Sequence, residues 1–314
     1  MDNTEMHQLL EDKYERLGTN SSIHLKGLLH AKEIDYWSYI QLDTLLSLQN
    51  PRTHFEDEEV FIIYHQITEL TLKLMINEIK QIVRSKTISQ AILISKLLRL
   101  NRYTQMLINS FSIMRDGMNY DDYNTFRNTL APASGFQSAQ FRYIEMYCTS
   151  LENLITDTSK VSGNSTIEEL MELQYWKSAG INPKTGEKTL TLKQFETKYQ
   201  DDFIQFAKKQ RANTINDRFN NIENPSKELV KQMRAFDFLY NIKWPIIHLQ
   251  TASHYLDSKG EKKQATGGSD WKKYLHPKYQ RRVFFPSVWT KDELTNWADA
   301  CFFREDEIVK IQVN

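Results

Sequence analysis

From Glu58 onward the chain carries apolar or weakly polar residues at alternating spacings of four and three, the pattern of one helix face. Three acidic residues at the start of this stretch suit the positive end of a helix dipole and mark its boundary. The stretch therefore predicts a long helix with the imidazole of His65 on an otherwise apolar face. The positions on this face are Phe61, His65, Thr68, Leu72, Met75, Ile79 and Ile82.

Two further stretches before residue 150 show helical periodicity. A second helix is predicted over residues 89–115, and residues 121–150 favour a helix, a short break at 131–135, and a helix again. Tyr123 and Arg127 lie four residues apart, on one face of that third helix. Residues 156–165 and 182–187 are predicted to be loops too short to divide domains, so one domain over 1–314 is expected. Apolar positions of the second helix include Ile92, Leu97, Leu100 and Met106.

Another long helical face follows the helix-start signal at residues 224–226. His248 lies on this face as a second lone imidazole among apolar residues. Pro245 removes the backbone hydrogen bond to the carbonyl of Asn241, which predicts a kink just before His248. The face consists of Leu229, Met233, Phe236, Tyr240, Trp244, His248 and Tyr255.

Composition narrows the fold and function classes. Only 10 Gly and 7 Pro in 314 residues favour long helices over a turn-rich sheet protein. Lys plus Arg and Asp plus Glu are both 40, so no net charge attracts nucleic acid or acidic membranes. The acidic, amphipathic N-terminus lacks the features of a secretory signal, and no window is apolar enough to span a membrane, so a cytoplasmic location is expected. Cys148 and Cys301 are interpreted as ordinary thiols.

The two histidines permit a structural and a functional interpretation. A lone histidine on an apolar helix face is most often a hydrogen-bonded core residue. However, helical proteins also use histidines on separate long helices to hold cofactors that take axial imidazole ligands. A zinc site would need a third ligand at short helical spacing, and His254, six residues after His248, faces elsewhere. A hydrolytic triad is indicated only weakly, by serines beside a glycine at 133–138.

Two other features also remain ambiguous at this level. The TGGS stretch at 266–269 could present backbone N–H groups to an anion, or it could be a plain surface loop. Arg127 could be a solvated helix charge, or it could form a carboxylate clamp with Tyr123 and the nearby SGFQS break.

Four segments together resemble the tryptophan 2,3-dioxygenase family, and they occur in the family's order. They are HQITEL, FRNTLAPASGFQSAQFRYIE, WPIIH and ATGGSDWKKYL, and the resemblance extends over residues 36–297. It implies an all-α fold, a helical-bundle haem domain of the tryptophan/indoleamine dioxygenase type. It also implies an oxidoreductase that uses ferrous haem b and O2 to cleave the indole C2–C3 bond of L-tryptophan, giving N-formylkynurenine.

The resemblance also implies roles for individual residues near the cofactor. The histidine of WxxxH, here His248, would ligate the haem iron. The histidine of HQxxEL, here His65, would be the catalytic residue that accepts the hydrogen bond of the substrate indole N–H. Ser134 and Gly135 of the SGFQS stretch would bind the cofactor.

The substrate contacts are implied in the same way. Arg127 would hold the substrate carboxylate, and Thr266 would contact its ammonium and carboxylate groups. The family is usually a homotetramer, a dimer of dimers, in which an N-terminal segment, here 1–45, contacts a neighbouring subunit. Further pocket-lining positions are Phe61 and Tyr123 from the same chain, and Tyr36 and Tyr39 from the neighbouring subunit.

Some positions depart from the family pattern, and two other functions stay open. Thr71 stands where an aromatic residue is common, Ile40 replaces a frequent leucine, and Pro245 lies inside WxxxH. Related haem-dependent monooxygenases on this scaffold insert one oxygen atom into tyrosine or substituted indoles. Some of them attach haem through a cysteine near the proximal histidine, but no cysteine follows His248 before Cys301. A haem-binding sensor or a helical interaction module, in either case without turnover, is the third candidate.

Overall fold

The computed structural model describes residues 1–182, 185–257 and 271–297, and the chain divides into two compact units, 1–50 and 51–314. The first unit contains four short helices. The side chain of Asp35 accepts the N–H of Ser38 and so caps the third helix, which carries Tyr36 and Tyr39. The helices are α1 (Asn3–Glu15), α2 (Ser21–Leu29), α3 (Tyr36–Ile40) and α4 (Leu42–Leu45).

The second unit is also helical. Within the described ranges the only β-type pairing is an isolated bridge between Ile181 and Lys188, so the all-α prediction is confirmed. Its α-helices are α5 (Asp57–Arg84), α6 (Gln90–Asp116), α7 (Tyr120–Phe126), α8 (Ala139–Cys148), α9 (Ile167–Glu172), α10 (Tyr175–Ala179), α11 (Leu190–Gln210), α12 (Ile215–Asn220), α13 (Lys227–Phe238), α14 (Trp244–Leu256), α15 (Trp271–Leu275) and α16 (Lys291–Thr295). Short 3₁₀ turns cover Arg127–Leu130, Gly135–Gln137, Leu151–Leu154, Thr158–Lys160 and Pro286–Val288.

The centre of this unit is built on α5 and α6. Helix α5 packs against α6 and α8, and α13 and α14 also pack against α6. The predicted α5 face is buried from Leu72 to Ile82, which removes its apolar surface from water. The prediction that this stretch is one long helix is therefore confirmed.

The second predicted helix has the expected bounds but a partly different core face. Leu97 and Leu100 are fully buried, whereas Ile92 and Met106 are exposed. The buried positions beside them are Leu93 and Leu107, one residue further along in each case. When a helix is apolar on more than one side, its sequence does not determine which face is buried. The helices that pack against it decide this.

The chain from α13 to α14 is helical throughout, but one turn between the two helices is wider than an α-helical turn. Residues Leu239–Lys243 form a π-helical turn, and Pro245 follows it at the start of α14. Because Pro245 has no N–H, it cannot donate the regular α-helical hydrogen bond at this point. An irregular turn there therefore costs little free energy. The kink predicted just before His248 stays a prediction, and the irregularity that the structure describes is the π-helical turn that precedes α14. Among the described residues no helix combines the length and apolarity needed to cross a membrane.

Candidate active site

Helices α5, α7 and α14 line one cavity in the second unit. It has two adjoining parts with a common wall. Arg127 lines only the larger part, which we call the Arg127 half, and Arg142 lines only the smaller part, the Arg142 half. The common wall consists of Tyr64, His65, Gly135, Phe136, His248, Tyr274 and Leu275.

His65 has a defined tautomer. Its Nδ1 lies 2.7 Å from the main-chain oxygen of Phe61, one helical turn earlier, and a carbonyl oxygen can only accept. Nδ1 therefore carries the hydrogen, and Nε2 remains a hydrogen-bond acceptor. Burial lowers the pKa of His65, which outweighs the opposing effects of the Phe61 carbonyl and of Glu69. The ring is neutral at pH 7 and can accept a hydrogen bond.

His248 is the second imidazole of the cavity wall. The loss of solvation that burial causes, together with the nearby His65, lowers its pKa to about 4. The side chain is nevertheless accessible, because its free surface faces the cavity. Its ring packs 5.2 Å from that of Phe111, and no described residue makes a hydrogen bond to its nitrogens. A neutral imidazole that faces an open cavity is suited to ligating a metal.

Arg127 lies in the wall of the cavity and is not a solvated charge. Its side chain is only 4% exposed, in the 3₁₀ turn that follows α7. It hydrogen-bonds to the hydroxyl of Tyr123, and burial raises the pKa of Tyr123, so that phenol stays neutral. The Tyr123 ring packs against Tyr255 at 4.3 Å and Phe61 at 5.9 Å. The guanidinium is therefore positioned by an aromatic group that lines the same half of the cavity.

The SGFQS stretch forms a tight turn beside the two histidines. The hydroxyl of Ser134 accepts the N–H of Phe136 at 3.3 Å, and the side-chain oxygen of Gln137 accepts the N–H of Ser134 at 3.3 Å. Gly135 lines both halves of the cavity, and a β-carbon placed there would meet no atom within 4 Å. Any side chain at this position would occupy cavity space.

The HQITEL and SGFQSAQ stretches are joined by one hydrogen-bonded contact. The side-chain amide of Gln140 donates to the main-chain oxygen of Glu69 at 2.7 Å and to its carboxylate at 2.6 Å. This contact holds α8 against α5 one turn beyond His65. It gives a physical reason why these two stretches occur together in the sequence.

Thr71 and Pro245 fit the structure without disturbing the cavity. Thr71 is buried, and its hydroxyl donates to the oxygen of Ile67 in the preceding turn at 2.8 Å, so no buried polar group is left unsatisfied there. Pro245 lines the Arg142 half.

Three of the predicted substrate-binding residues are not among the described residues that line this cavity. Thr266 and the rest of the TGGS stretch fall outside the described residues, as does Cys301. Tyr36 and Tyr39 belong to the first unit, where their side chains are 68% and 75% exposed. The functional roles of all the proposed site residues stay predictions.

Several wall residues could not be singled out from the sequence. Arg142 lies three residues before Glu145 on a helix, a spacing that signals an ion pair but not a cavity wall. Arg282 follows Arg281 in a basic cluster, and nothing in that cluster tells which of the two is buried. Other wall residues that sequence reasoning missed include Tyr64, Phe136, Phe141, Trp244 and Tyr274.

Comparison with known proteins places the chain in a family. The model of the family described as tryptophan 2,3-dioxygenase matches residues 26–237, more than half of the chain. The chain belongs to the tryptophan 2,3-dioxygenase family. The family match contains His65, Arg127 and the SGFQS turn, and it ends before His248.

Individual relatives carry the same name. A tryptophan 2,3-dioxygenase of Ruegeria pomeroyi is 34% identical over 125 residues, which cover 37% of this chain and 42% of the relative. One from Bradyrhizobium diazoefficiens is 36% identical over 116 residues, 37% of this chain and 41% of the relative. The chain thus aligns with about two fifths of the length of these two tryptophan 2,3-dioxygenases. One from Geobacillus thermodenitrificans is 26% identical over 293 residues, 82% of this chain and 91% of the relative.

Proposed function

We propose that the chain is a haem-dependent dioxygenase that cleaves the indole C2–C3 bond of L-tryptophan with O2 and gives N-formylkynurenine. The observation that carries this proposal is the arrangement of the cavity wall. Two neutral imidazoles, His65 and His248, line one cavity together with the buried guanidinium of Arg127. Membership of the tryptophan 2,3-dioxygenase family supports the same activity.

The residues of the cavity fit haem b. Cofactor sites are concave and mostly apolar with a few placed polar groups, and aromatic and apolar side chains dominate the wall of both halves. His248 offers a neutral imidazole without a competing hydrogen bond from any described residue, and Gly135 leaves space next to it. His248 would hold the iron, with Ser134 and Gly135 beside the cofactor. Haem bound there would supply the redox chemistry with O2, which no amino acid side chain supplies.

The Arg127 half of the cavity fits an aromatic amino acid. A guanidinium can bind a carboxylate through two parallel hydrogen bonds, and Arg127 is already oriented by Tyr123. Phe61, Tyr123 and Tyr255 supply flat apolar surfaces against which an indole ring can pack. Thr266 is proposed as a further contact to the ammonium group.

His65 would orient the indole. Because its Nδ1–H is bound to the Phe61 carbonyl, only Nε2 is left to interact with a ligand, and Nε2 can accept the indole N–H. Two fixed points, one at the carboxylate and one at the indole nitrogen, determine the position of the C2–C3 bond. Such orientation supplies a substantial part of catalysis in reactions of this type.

The proposed assembly is a homotetramer built as a dimer of dimers, in a cytoplasmic location. Residues 1–45 would contact a neighbouring subunit, with Tyr36 and Tyr39 entering its site. The exposure of both tyrosine rings supports this proposal, because such rings are available to another chain.

The activity can be tested with purified, haem-loaded and reduced protein given L-tryptophan and O2. The expected product is tryptophan plus two oxygen atoms with an opened ring, identified by mass spectrometry. A gain of one oxygen atom would instead indicate a monooxygenase, and haem binding without any product would indicate a sensor. Either result would overturn the proposed function.

A further inference from the structure

The Arg142 half of the cavity has a buried ionic cluster in its wall. Arg142 donates through Nη1 to the Glu145 carboxylate at 2.9 Å and to the Tyr175 hydroxyl at 2.6 Å, and through Nη2 to the Tyr274 hydroxyl at 3.0 Å. Arg282 donates to the same Tyr175 hydroxyl at 3.1 Å and lies 3.5 Å from Glu145. We call Arg142 and Arg282 the arginine pair.

Within the part of the chain that the structure describes, the cluster has a surplus of positive charge. Two guanidinium groups face a single carboxylate, that of Glu145, and all three residues are at most 8% exposed. Tyr175 does not compensate the charge, because burial raises its pKa and keeps it protonated. An unbalanced buried charge is costly unless a counter-ion or a ligand approaches it.

The buried carboxylate of Asp237 has partners other than the arginine pair. Asp237 accepts hydrogen bonds from the backbone of Phe284 and Phe285, the indole of Trp289 and the amide of Asn241. The ion pairs of the arginine pair within the described residues involve Glu145 alone. Counted over the described residues, the arginine pair therefore carries one more positive charge than the carboxylates paired with it.

Some hydrogen-bond donors in this wall also have no partner. Within the described part of the chain, Nε of Arg142, Nε of Arg282 and the Tyr240 hydroxyl are buried and make no hydrogen bond. All three residues line the Arg142 half. Buried polar groups are nearly always hydrogen-bonded in folded proteins, so three in one wall indicate an acceptor that belongs there.

The rest of this wall is mainly aromatic and apolar. The rings of Phe141 and Trp244 stack at 4.9 Å, and His248 closes the side shared with the Arg127 half. A ligand that suits both kinds of wall has a flat apolar body and an anionic group at one edge.

We propose that the arginine pair forms a carboxylate subsite at the end of the cavity that lies away from Arg127. This inference rests on the proposed function in one respect, since the carboxylate would be a propionate of bound haem. The same chemistry could be satisfied by a free small anion, which the experiment separates from the propionate.

The test compares haem b with its dimethyl ester, in which both propionate charges are removed while the iron can still bind His248. Both are titrated into haem-free full-length protein and followed by the Soret absorption band. We expect the wild type to bind haem at least tenfold more tightly than the ester. Arg282→Gln should reduce this preference at least fivefold, whereas Arg281→Gln, which changes an exposed neighbour, should leave it unchanged.

A second arm uses inorganic phosphate and needs no haem. Equal affinity for the two porphyrins, with phosphate raising the melting temperature of the wild type but not of Arg282→Gln, would assign the subsite to a free anion. Equal affinity without this phosphate effect would overturn the subsite. Binding of neither porphyrin would overturn the proposed cofactor, and the phosphate arm would then decide the subsite by itself.

Folding of the variants does not limit the test. The comparison of haem with its ester on the wild type requires no substitution, and Arg282→Lys keeps the charge if Arg282→Gln fails to fold. Arg282→Lys should retain most of the preference for haem. If it loses the preference while Arg281→Gln keeps it, a dependence on charge alone is ruled out and the planar guanidinium is required.

Discussion

At the scale of single residues, the two histidines of the cavity differ in what their nitrogens can do. Nδ1 of His65 is committed to the Phe61 carbonyl, while the nitrogens of His248 have no described partner. Both rings are neutral at pH 7, since burial lowers both pKa values. The ring of His65 is therefore suited to accepting a hydrogen bond from a ligand, and the ring of His248 to ligating a metal.

The different roles of Arg127 and His248 can be separated by substitution. We expect Arg127→Leu to raise the KM for tryptophan tenfold or more, because a charge-assisted pair is worth about 1.5–3 kcal/mol, with little change in the haem spectrum. His248→Ala should lose haem. Steady-state kinetics and absorption spectra measure both effects, with Arg115→Leu on the exposed surface as the control. An unchanged KM in Arg127→Leu would contradict the clamp.

The acceptor role of His65 predicts a dependence on the indole N–H. N1-methyltryptophan lacks that hydrogen, so the wild type should bind it about 5- to 100-fold more weakly than tryptophan. His65→Ala should bind the two compounds with similar affinity, because the acceptor is gone. Equilibrium titration of the haem-loaded proteins measures this, and a full preference retained in His65→Ala would refute the assignment.

Gly135 allows a test of cavity space that is independent of folding. Because a β-carbon at Gly135 meets no atom within 4 Å, Gly135→Val should change the free energy of unfolding by no more than about 0.5 kcal/mol. Its haem affinity should fall at least tenfold. Gly163→Val is the matched control, since Gly163 is equally unobstructed and lines neither part of the cavity. Unchanged haem affinity in Gly135→Val would show that the cofactor does not use this space.

The sequence predicted the residues that stand out by their chemistry and missed those that stand out only by their position. His65 and His248 are visible because a polar residue on an apolar helix face needs an explanation. Arg282 is not visible, because it differs from the exposed Arg281 only by the direction of its side chain. That direction depends on contacts with residues more than a hundred positions away, such as Tyr175.

At the scale of elements, the start of α5 is fixed by a carboxylate that turns back on the preceding loop. Glu58 accepts the N–H of Arg52 at 3.0 Å, and both the N–H and the hydroxyl of Thr53 at 2.8 and 2.5 Å. Burial raises the pKa of Glu58, but these hydrogen bonds outweigh it and leave the pKa below its usual value. The acidic start predicted as a dipole effect is therefore also a loop anchor.

This anchor predicts how the stability depends on pH. Because the folded-state pKa of Glu58 is lowered, its contribution is present above the unfolded-state value of 4.5 and is lost as the pH falls through the lowered pKa. At pH 7, Glu58→Gln should reduce the free energy of unfolding by about 1–3 kcal/mol. The difference from the wild type should shrink toward pH 3. Urea unfolding at both pH values measures this, and an equal difference at both would contradict it.

Helix positions were predictable, but the type of turn between two helices was not. Periodicity located α5, α6 and the stretch from α13 to α14 to within a residue or two. A proline marks where a helical ladder is weak, yet the sequence does not state whether the chain bends or widens there. Packing against α6 decides which of the two forms, and here the chain forms a π-helical turn.

At the scale of the whole molecule, the proposed assembly makes one active site from two chains. If Tyr36 and Tyr39 serve a neighbouring subunit, a double variant Tyr36→Ala/Tyr39→Ala and the variant Arg127→Leu should each have low activity. Mixed oligomers of the two should regain activity, because a chain with intact tyrosines can complete a site with intact Arg127.

The measurement is the activity of the two variants refolded together, compared with each refolded alone. Analytical ultracentrifugation should give four chains of 37.1 kDa per particle. Activity that never exceeds the average of the separate variants would show that the tyrosines act within their own chain, or not at all.

The wide turn at Leu239–Lys243 affects the direction in which the side chains after it point. An α-helix advances about 100° per residue, so the same residues wound as regular α-turns would rotate everything after them by about that angle. The imidazole of His248 would then point away from the space it now borders. The direction of the His248 side chain therefore depends on how far the backbone has rotated about the helix axis, and the π-helical turn sets that rotation several residues earlier.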